Sequence, residues 1–119
     1  MNQSEKMRIV QELVPGRQVT LAHIIANPDP ILYVKLGLVA DTDTKMDAIG
    51  ILTVSPAETA VICADVAMKA SGVELGFVDR FSGTLIVTGT VSQVESALEA
   101  VCHYVGDKLH YTICEVTRT

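Results

Sequence analysis

The stretch AIGILTV, residues 48–54, runs directly into SPAE, and this junction decides the fold. The apolar run is β-branched near its middle and end, which is typical of a strand buried on both faces. Ser55 can cap a helix, Pro56 suits its first position, and Glu58 completes a capping box. The junction therefore predicts a strand that leads straight into a helix, and that helix ends at Gly72.

The rest of the chain after this helix also divides into clear elements. We predict strands at Val73–Asp79 and Thr84–Thr88, a helix from the capping box Ser92–Glu95 to a C′ glycine at Gly106, and a last strand at Leu109–Val116. The order β-α-β-β-α-β predicts an α+β, ferredoxin-like domain of two layers, in which two helices cover one face of a sheet.

The residues before this unit form an N-terminal addition. Strands are predicted at Arg8–Val14 and Val19–Ala26, joined by a turn that has Pro and Gly at the positions a type II turn requires. A short helix is expected at Ile31–Leu36, and residues 39–47 read as a polar linker. We therefore divide the chain into a strand extension, residues 1–17, and a single domain, residues 18–119. An isolated hairpin is marginal in water, so its first strand must dock on this domain or pair with other copies.

Composition argues against a monomer with an ordinary polar surface. The chain has 119 residues, of which 49% are hydrophobic and 19% charged. A chain this apolar collapses, which excludes disorder, but a single small domain cannot bury so much apolar surface alone. We expect part of that surface to contact other subunits.

Charge and residue content exclude several classes of function. The net charge is −5, and Lys and Arg are not clustered, so no nucleic-acid surface is expected. No apolar stretch approaches the length of a membrane span, and the N-terminus does not resemble a secretory signal. The chain is therefore expected to be cytoplasmic.

The polar residues do not form a recognisable catalytic, cofactor or metal site. His23, His103 and His110 are scattered over predicted strands and a helix, without ligands at metal-binding spacing. The three cysteines lack CxxC spacing and are expected to be reduced, buried thiols. No acid, base and nucleophile converge, so the sequence predicts no catalytic residues, no metal, no cofactor and no enzymatic activity.

Two features do not fit a simple monomer. Lys69 falls in the last turn of a helix among small residues that would let another subunit approach closely, although a lysine there also suits the helix dipole. The predicted hairpin loop consists of Arg80, Phe81, Ser82 and Gly83. Ser and Gly are ordinary turn residues, but an exposed Phe beside an Arg is unusual.

At these residues the chain resembles the bacterial microcompartment shell proteins, in particular the circularly permuted single-domain type of propanediol- and ethanolamine-utilisation compartments. The resemblance spans nearly the whole chain and is carried by VPGRQVTLAH at 14–23, AIGILT at 48–53, GFVDRFSG at 76–83 and VTRT at 116–119.

The resemblance implies a homohexamer that tiles with other shell proteins into the microcompartment shell, with encapsulated enzymes as further partners. It places Arg80, Phe81, Ser82 and Gly83 in the loop that lines the six-fold axis, and Lys69 and Asn27 at the edge between hexamers. Asn27 stands where unpermuted members carry an Arg, so the edge contacts are expected to be weaker. The strand Arg8–Val14 resembles the one that six subunits combine into a small barrel over the pore, and its residues are Arg8, Ile9, Val10, Gln11, Glu12, Leu13 and Val14.

Two questions remain open at the level of sequence. Either segment 18–36 or segment 109–116 could supply the sheet strand that ends the unpermuted domain. An oligomeric ferredoxin-like protein that senses a small ligand between subunits is the alternative function. It predicts saturable ligand binding and a discrete oligomer that does not form sheets.

Overall fold

The computed structural model describes residues 16–38 and 48–119, which form a five-stranded sheet in the order β3-β4-β2-β1-β5. The elements are β1 Gln18–Ile25, α1 Pro30–Lys35, β2 Ala48–Ser55, α2 Thr59–Ala70, β3 Glu74–Asp79, β4 Thr84–Gly89, α3 Val91–Lys108 and β5 Thr117–Arg118. Strands β3, β4, β2 and β1 pair with one another antiparallel in that order, and β5 runs parallel to β1. The predicted strand Arg8–Val14 and linker 39–47 lie outside the described residues.

The central strand β2 is buried on both faces, as its apolar run predicts. Leu52 and Val54 belong to the main core, which lies between the sheet and the helices α2 and α3. Ile49 faces the other side and packs in a smaller cluster with Tyr33 of α1 and with Leu38. The two long helices cover one face, as predicted for the α+β fold, and α1 covers part of the other.

A glycine in β2 lets helix α3 approach the sheet closely. A Cβ atom at Gly50 would lie only 2.6 Å from Cγ1 of Val94 and 3.1 Å from Cγ2 of Val87. Real side chains do not tolerate such a separation, so a larger residue would push α3 away from the sheet. Gly50 thus sets the spacing between the two layers of the domain.

The start of helix α2 differs from the prediction. The helix begins at Thr59, the cap position is occupied by Glu58, and no side chain caps the helix. The Ser55–Pro56 peptide bond is cis, and the Thr59 amide donates to the carbonyl of Pro56 in a short turn. The predicted capping box from Ser55 to Glu58 is therefore wrong, because these residues form the turn that precedes the helix.

The capping box of helix α3 lies two residues earlier than predicted. Thr90 is the cap, and its hydroxyl accepts from the Gln93 amide, while the Gln93 side chain accepts from the Thr90 amide. The predicted box from Ser92 to Glu95 is wrong because β4 ends at Gly89 and the extended residue that follows it is Thr90.

The C-terminal segment shows the largest departure from the prediction. Helix α3 continues through Gly106 to Lys108, so Gly106 is not its C′ residue. His110 then adopts a left-handed conformation with φ +63, and the Tyr111 amide donates back to the carbonyl of Val105. The predicted strand Leu109–Val116 is wrong, because this left-handed residue folds the chain back over the helix end instead of extending it.

Strand β1 fills the sheet position that the sequence left open. It pairs with β2 from Gln18 opposite Ser55 to Ile25 opposite Ile49. The segment after α3 contacts the far edge of β1, through a bridge from Thr112 to Gln18 and through β5. Of the two candidate segments, the N-terminal one therefore supplies the strand beside β2.

Tyr111 joins three parts of the fold. Its hydroxyl lies 2.6 Å from Oγ1 of Thr59, the first residue of α2 and itself buried. The Arg17 guanidinium lies 6.0 Å from the Tyr111 ring centre. Buried hydroxyls need hydrogen-bond partners, so this contact ties the C-terminal segment to α2 at the point where β1 begins.

Replacing Tyr111 with phenylalanine leaves the Thr59 hydroxyl without this partner, and we expect Tyr111→Phe to lower the free energy of unfolding by about 1–3 kcal/mol. Urea unfolding at a fixed protein concentration measures this change in the free energy of unfolding. Tyr104→Phe, on an exposed tyrosine, is the matched control and should change the value by less than about 0.5 kcal/mol. The double variant Thr59→Val/Tyr111→Phe should recover part of the loss, because it leaves no unpaired hydroxyl. Equal effects of Tyr111→Phe and Tyr104→Phe would contradict this account.

Candidate functional site

The loop between β3 and β4 is held in shape by the carboxylate of Asp79. Its Oδ1 accepts from the Phe81 amide at 2.9 Å, and its Oδ2 accepts from the Ser82 hydroxyl at 2.8 Å. These hydrogen bonds favour the charged form and hold the pKa of Asp79 below its ordinary value. The Gly83 amide closes the loop by donating to the Asp79 carbonyl at 2.9 Å.

The tip of this loop presents an aromatic ring and a cation to the exterior. Phe81 is 80% exposed, the highest value among the exposed large apolar residues of the described chain. The Arg80 guanidinium lies 4.7 Å from the centre of the Phe81 ring, within cation–π range. The loop therefore places an exposed apolar ring and a positive charge side by side at its tip.

The loop is also fixed to the end of β2. The carbonyl of Gly83 accepts from the Val54 amide at 2.9 Å. Gly83 has φ +78, and a Cβ atom there would overlap the carbonyl oxygen of Val54. Only glycine suits both the left-handed backbone and this close approach, so the loop keeps a set position relative to the central strand.

The chain enters the domain at the same end of the sheet. Gln18, the first residue of β1, lies opposite Ser55, the last residue of β2. The neighbouring Val54 is the residue that contacts the loop at Gly83. Since strands lie about 4.8 Å apart, the start of β1 and the loop are about two strand spacings, or ~10 Å, from each other.

The two predicted edge residues lie at the opposite end. Lys69 is in the last turn of α2, and Ser71, just after that helix, donates to the carbonyl of Gln93 near the start of α3. Asn27 follows β1, whose last residue, Ile25, pairs with Ile49 near the start of β2. The length of β2, eight residues or about 25 Å, therefore separates these residues from the loop.

Lys69 and Asn27 are on different flanks of this end. Helix α2 packs against β3 and β4, whereas Asn27 follows β1 on the other side of the central strand. The structure thus brings Arg80, Phe81, Ser82 and Gly83 together in one loop and does not group Lys69 with Asn27.

Sequence reasoning missed several residues at these surfaces. Nζ of Lys69 lies 2.9 Å from Oδ2 of Asp65, one helical turn earlier, a pairing that the four-residue spacing could have shown. Beside this pair, the surface between α2 and α3 forms an apolar groove to which Tyr104 contributes.

A histidine anchors the C-terminal segment, which the sequence did not indicate. The ring nitrogens of His23 lie 2.6 Å and 3.0 Å from the hydroxyl oxygens of Thr117 and Thr119. The Thr117 hydroxyl also lies 3.3 Å from the carbonyl oxygen of Ala22, to which it donates. His23 therefore has a structural role at the edge of the sheet.

The cysteines are free thiols. Burial raises the pKa of Cys63 to about 12 and that of Cys102 to about 11, which keeps both in the unreactive thiol form. Within residues 16–38 and 48–119, no three His, Cys, Asp or Glu side chains are grouped so that they could hold a metal ion. In the same part of the chain, no helix combines the length and the apolar character needed to cross a membrane.

Comparison with known proteins identifies the relatives of this fold. The family model of the BMC domain matches residues 48–117. The chain is 50% identical over 112 residues to the bacterial microcompartment shell protein PduU of Salmonella typhimurium strain LT2, covering 94% of this chain and 93% of that protein. It is 50% identical over 115 residues to the shell protein EutS of Escherichia coli strain K12, covering 97% of this chain and 99% of that protein.

A solved structure supports the same relationship. The flat hexamer of CutR, form 1, superposes with a TM-score of 0.80 at 39% sequence identity, over 89% of this chain and 94% of the CutR chain. The similarity thus extends over the described fold and includes residues before the part that the family model matches.

Proposed function

Since this chain belongs to the BMC-domain family and is a shell protein of a bacterial microcompartment, we propose that its hexamer places the Arg80–Gly83 loops around the central axis and Lys69 and Asn27 at the perimeter. The relatives PduU, EutS and CutR are shell proteins. The chain is accordingly a structural subunit and not an enzyme. The family also favours this function over the small-ligand sensor that the fold alone allowed.

One observation supports this orientation more than any other. The loop and the predicted edge residues lie at opposite ends of β2, about 25 Å apart along the strand. In a ring of six subunits, each with β2 pointing towards the axis, the loops would meet at the centre. Lys69 and Asn27 would then lie on the outer rim, where neighbouring shell proteins make contact.

The residues of the loop determine the chemistry of such a pore. Six Phe81 rings, each 80% exposed, would narrow the opening with apolar surface. Six Arg80 guanidinium groups would give the opening a positive potential, which favours anions over cations. The Asp79 carboxylates are engaged in the loops themselves.

The position at which β1 starts supports a capped pore. Residues 1–17 precede β1, which starts beside the end of β2 that contacts the loop. Six strands at Arg8–Val14 would therefore end near the axis, where closure into a small barrel leaves no strand edge unpaired. A capped pore suits the tethering of an encapsulated enzyme better than bulk transport of metabolites.

The order of the chain is compatible with circular permutation. Strand β1 precedes the residues matched by the family model, yet it lies beside β2 within the sheet. The permutation itself stays a prediction, because the comparisons show that the fold is shared. They do not show in which order unpermuted relatives place these strands along the chain.

Replacing Lys69 should weaken the contacts between hexamers without affecting the hexamer. We expect Lys69→Ala to reduce the sheets, tubes or patches that concentrated protein forms, because it removes the cation proposed for the rim. Electron micrographs at matched concentrations measure this. Lys108→Ala is the matched control, since Lys108 is also in the last turn of its helix but near the other end of the sheet. Equal loss of sheets in both variants would contradict the proposed rim.

Deleting residues 1–14 should open the axis and leave six subunits together. Native mass measurement checks the subunit number, and a cryo-electron microscopy map of the deletion variant beside the full chain checks for density over the axis. Loss of the hexamer would show that this segment holds subunits together instead of capping a pore. Unchanged density over the axis would show that other residues close it.

A further inference from the structure

Helix α2 carries exposed apolar residues on its outer side in addition to the buried ones on its inner side. Ala60, Cys63 and Ala67 pack in the core, but Val61 and Met68 on the outside are 52% and 45% exposed. A surface helix of a monomer carries polar residues on its outer face. In a chain that assembles with copies of itself, this pattern indicates that a neighbouring subunit covers the helix.

The exposed apolar residues of α2 continue onto the edge strand β3. Residues 62, 66 and 69 line the groove towards α3, so Val61 and Met68, seven positions apart, lie on the side away from α3. That side of α2 lies above β3, where Leu75 is 43% exposed. Val61, Met68 and Leu75, together with the exposed Glu74, form what we term the β3 flank.

The opposite side of the domain carries a second apolar residue at its surface. Ile113 is 47% exposed, and its Cγ2 lies 3.3 Å from the position of a Cβ atom on Gly106. Gly106 is on the side of α3 away from Tyr104, which faces α2. Ile113 and the exposed Arg118 of β5 form what we term the tail flank.

The two flanks match in charge as well as in apolar character. Glu74 lies opposite Thr88 near the end of β4, and Arg118 lies opposite Ile24 near the end of β1. Both are therefore near the same end of the sheet, on its two outer edges. The described residues form no ion pair with either side chain, so both charges are available to a neighbour.

A cyclic ring requires two different, complementary surfaces on each subunit. We propose that the β3 flank of one subunit packs against the tail flank of the next. Ile113 contacts Val61, Met68 and Leu75 of the neighbour, and Arg118 pairs with its Glu74. This inference rests on the proposed hexamer and adds which faces of the chain close the ring.

The test uses two variants that each damage one flank, Met68→Glu and Ile113→Glu. Each places a carboxylate in an apolar contact, where an unpaired charge is strongly unfavourable. Each variant alone should lose the six-subunit particle in native mass measurement and give single subunits. Ile31→Glu is the matched control, because Ile31 is 57% exposed on α1 and lies on neither flank. It should keep six subunits.

Mixing the two variants tests directly whether the two flanks contact each other. The tail flank of Met68→Glu and the β3 flank of Ile113→Glu are both intact, so an equimolar mixture should form particles of two subunits, one of each variant. Such a pair also demonstrates that both variants fold. Absence of the mixed pair, or a six-subunit particle of either variant alone, overturns the proposed contact between the two flanks. If the natural chain still forms a hexamer in that case, the proposed function stands. A natural chain without six subunits overturns both.

The charged pair has its own test. Glu74→Arg and Arg118→Glu each place like charges across the interface and should raise the concentration at which the hexamer dissociates, by up to about fivefold for each contact. An equimolar mixture alternates the two variants around the ring, restores every pair, and should return this concentration towards that of the natural chain. A mixture no more stable than its components overturns the pairing of Glu74 with Arg118.

Discussion

Strand β2 is held on both edges and both faces, and this constraint decides where the Arg80–Gly83 loop and Lys69 lie. It pairs with β1 and β4, and its residues belong to the cores on both sides of the sheet. Gly50 fixes how closely α3 approaches the sheet, and the Val54 amide holds the loop by donating to the carbonyl of Gly83. Because β2 cannot shift, the loop at one end and Lys69 at the other keep their separation, which is what a subunit of a regular shell requires.

Apolar runs in the sequence predicted the central elements well, whereas both predicted capping boxes and the C-terminal strand were wrong. The apolar run at 48–54 gave β2, and the segments at 19–26 and 31–36 gave β1 and α1 to within about a residue. By contrast, the alternating residues at 109–116 resembled a strand. The left-handed His110 and the hydrogen bond from Tyr111 to Val105 fold them back instead, and no local pattern shows this.

The candidate site, too, could be predicted from the sequence only in part. Loop residues Arg80–Gly83 could be picked out because an exposed Phe beside an Arg is unusual, and the resemblance gave them a role. That the loop and the start of β1 share one end of the sheet follows only from the register of β1 on β2. The excess of hydrophobic residues in the composition indicated that part of the apolar surface contacts other subunits. Where the exposed apolar residues of α2 lie depends on how α2 packs over β3, which the composition does not show.

The central claim is that each subunit points the Gly83 end of β2 towards the axis of its hexamer, and an experimental structure of the assembled hexamer tests it most directly. The measured quantity is the distance of each residue from the six-fold axis. We expect Gly83 to lie near the axis and Lys69 to lie farther out by about the length of β2, ~25 Å. Lys69 as near to the axis as Gly83, or nearer, would contradict the account.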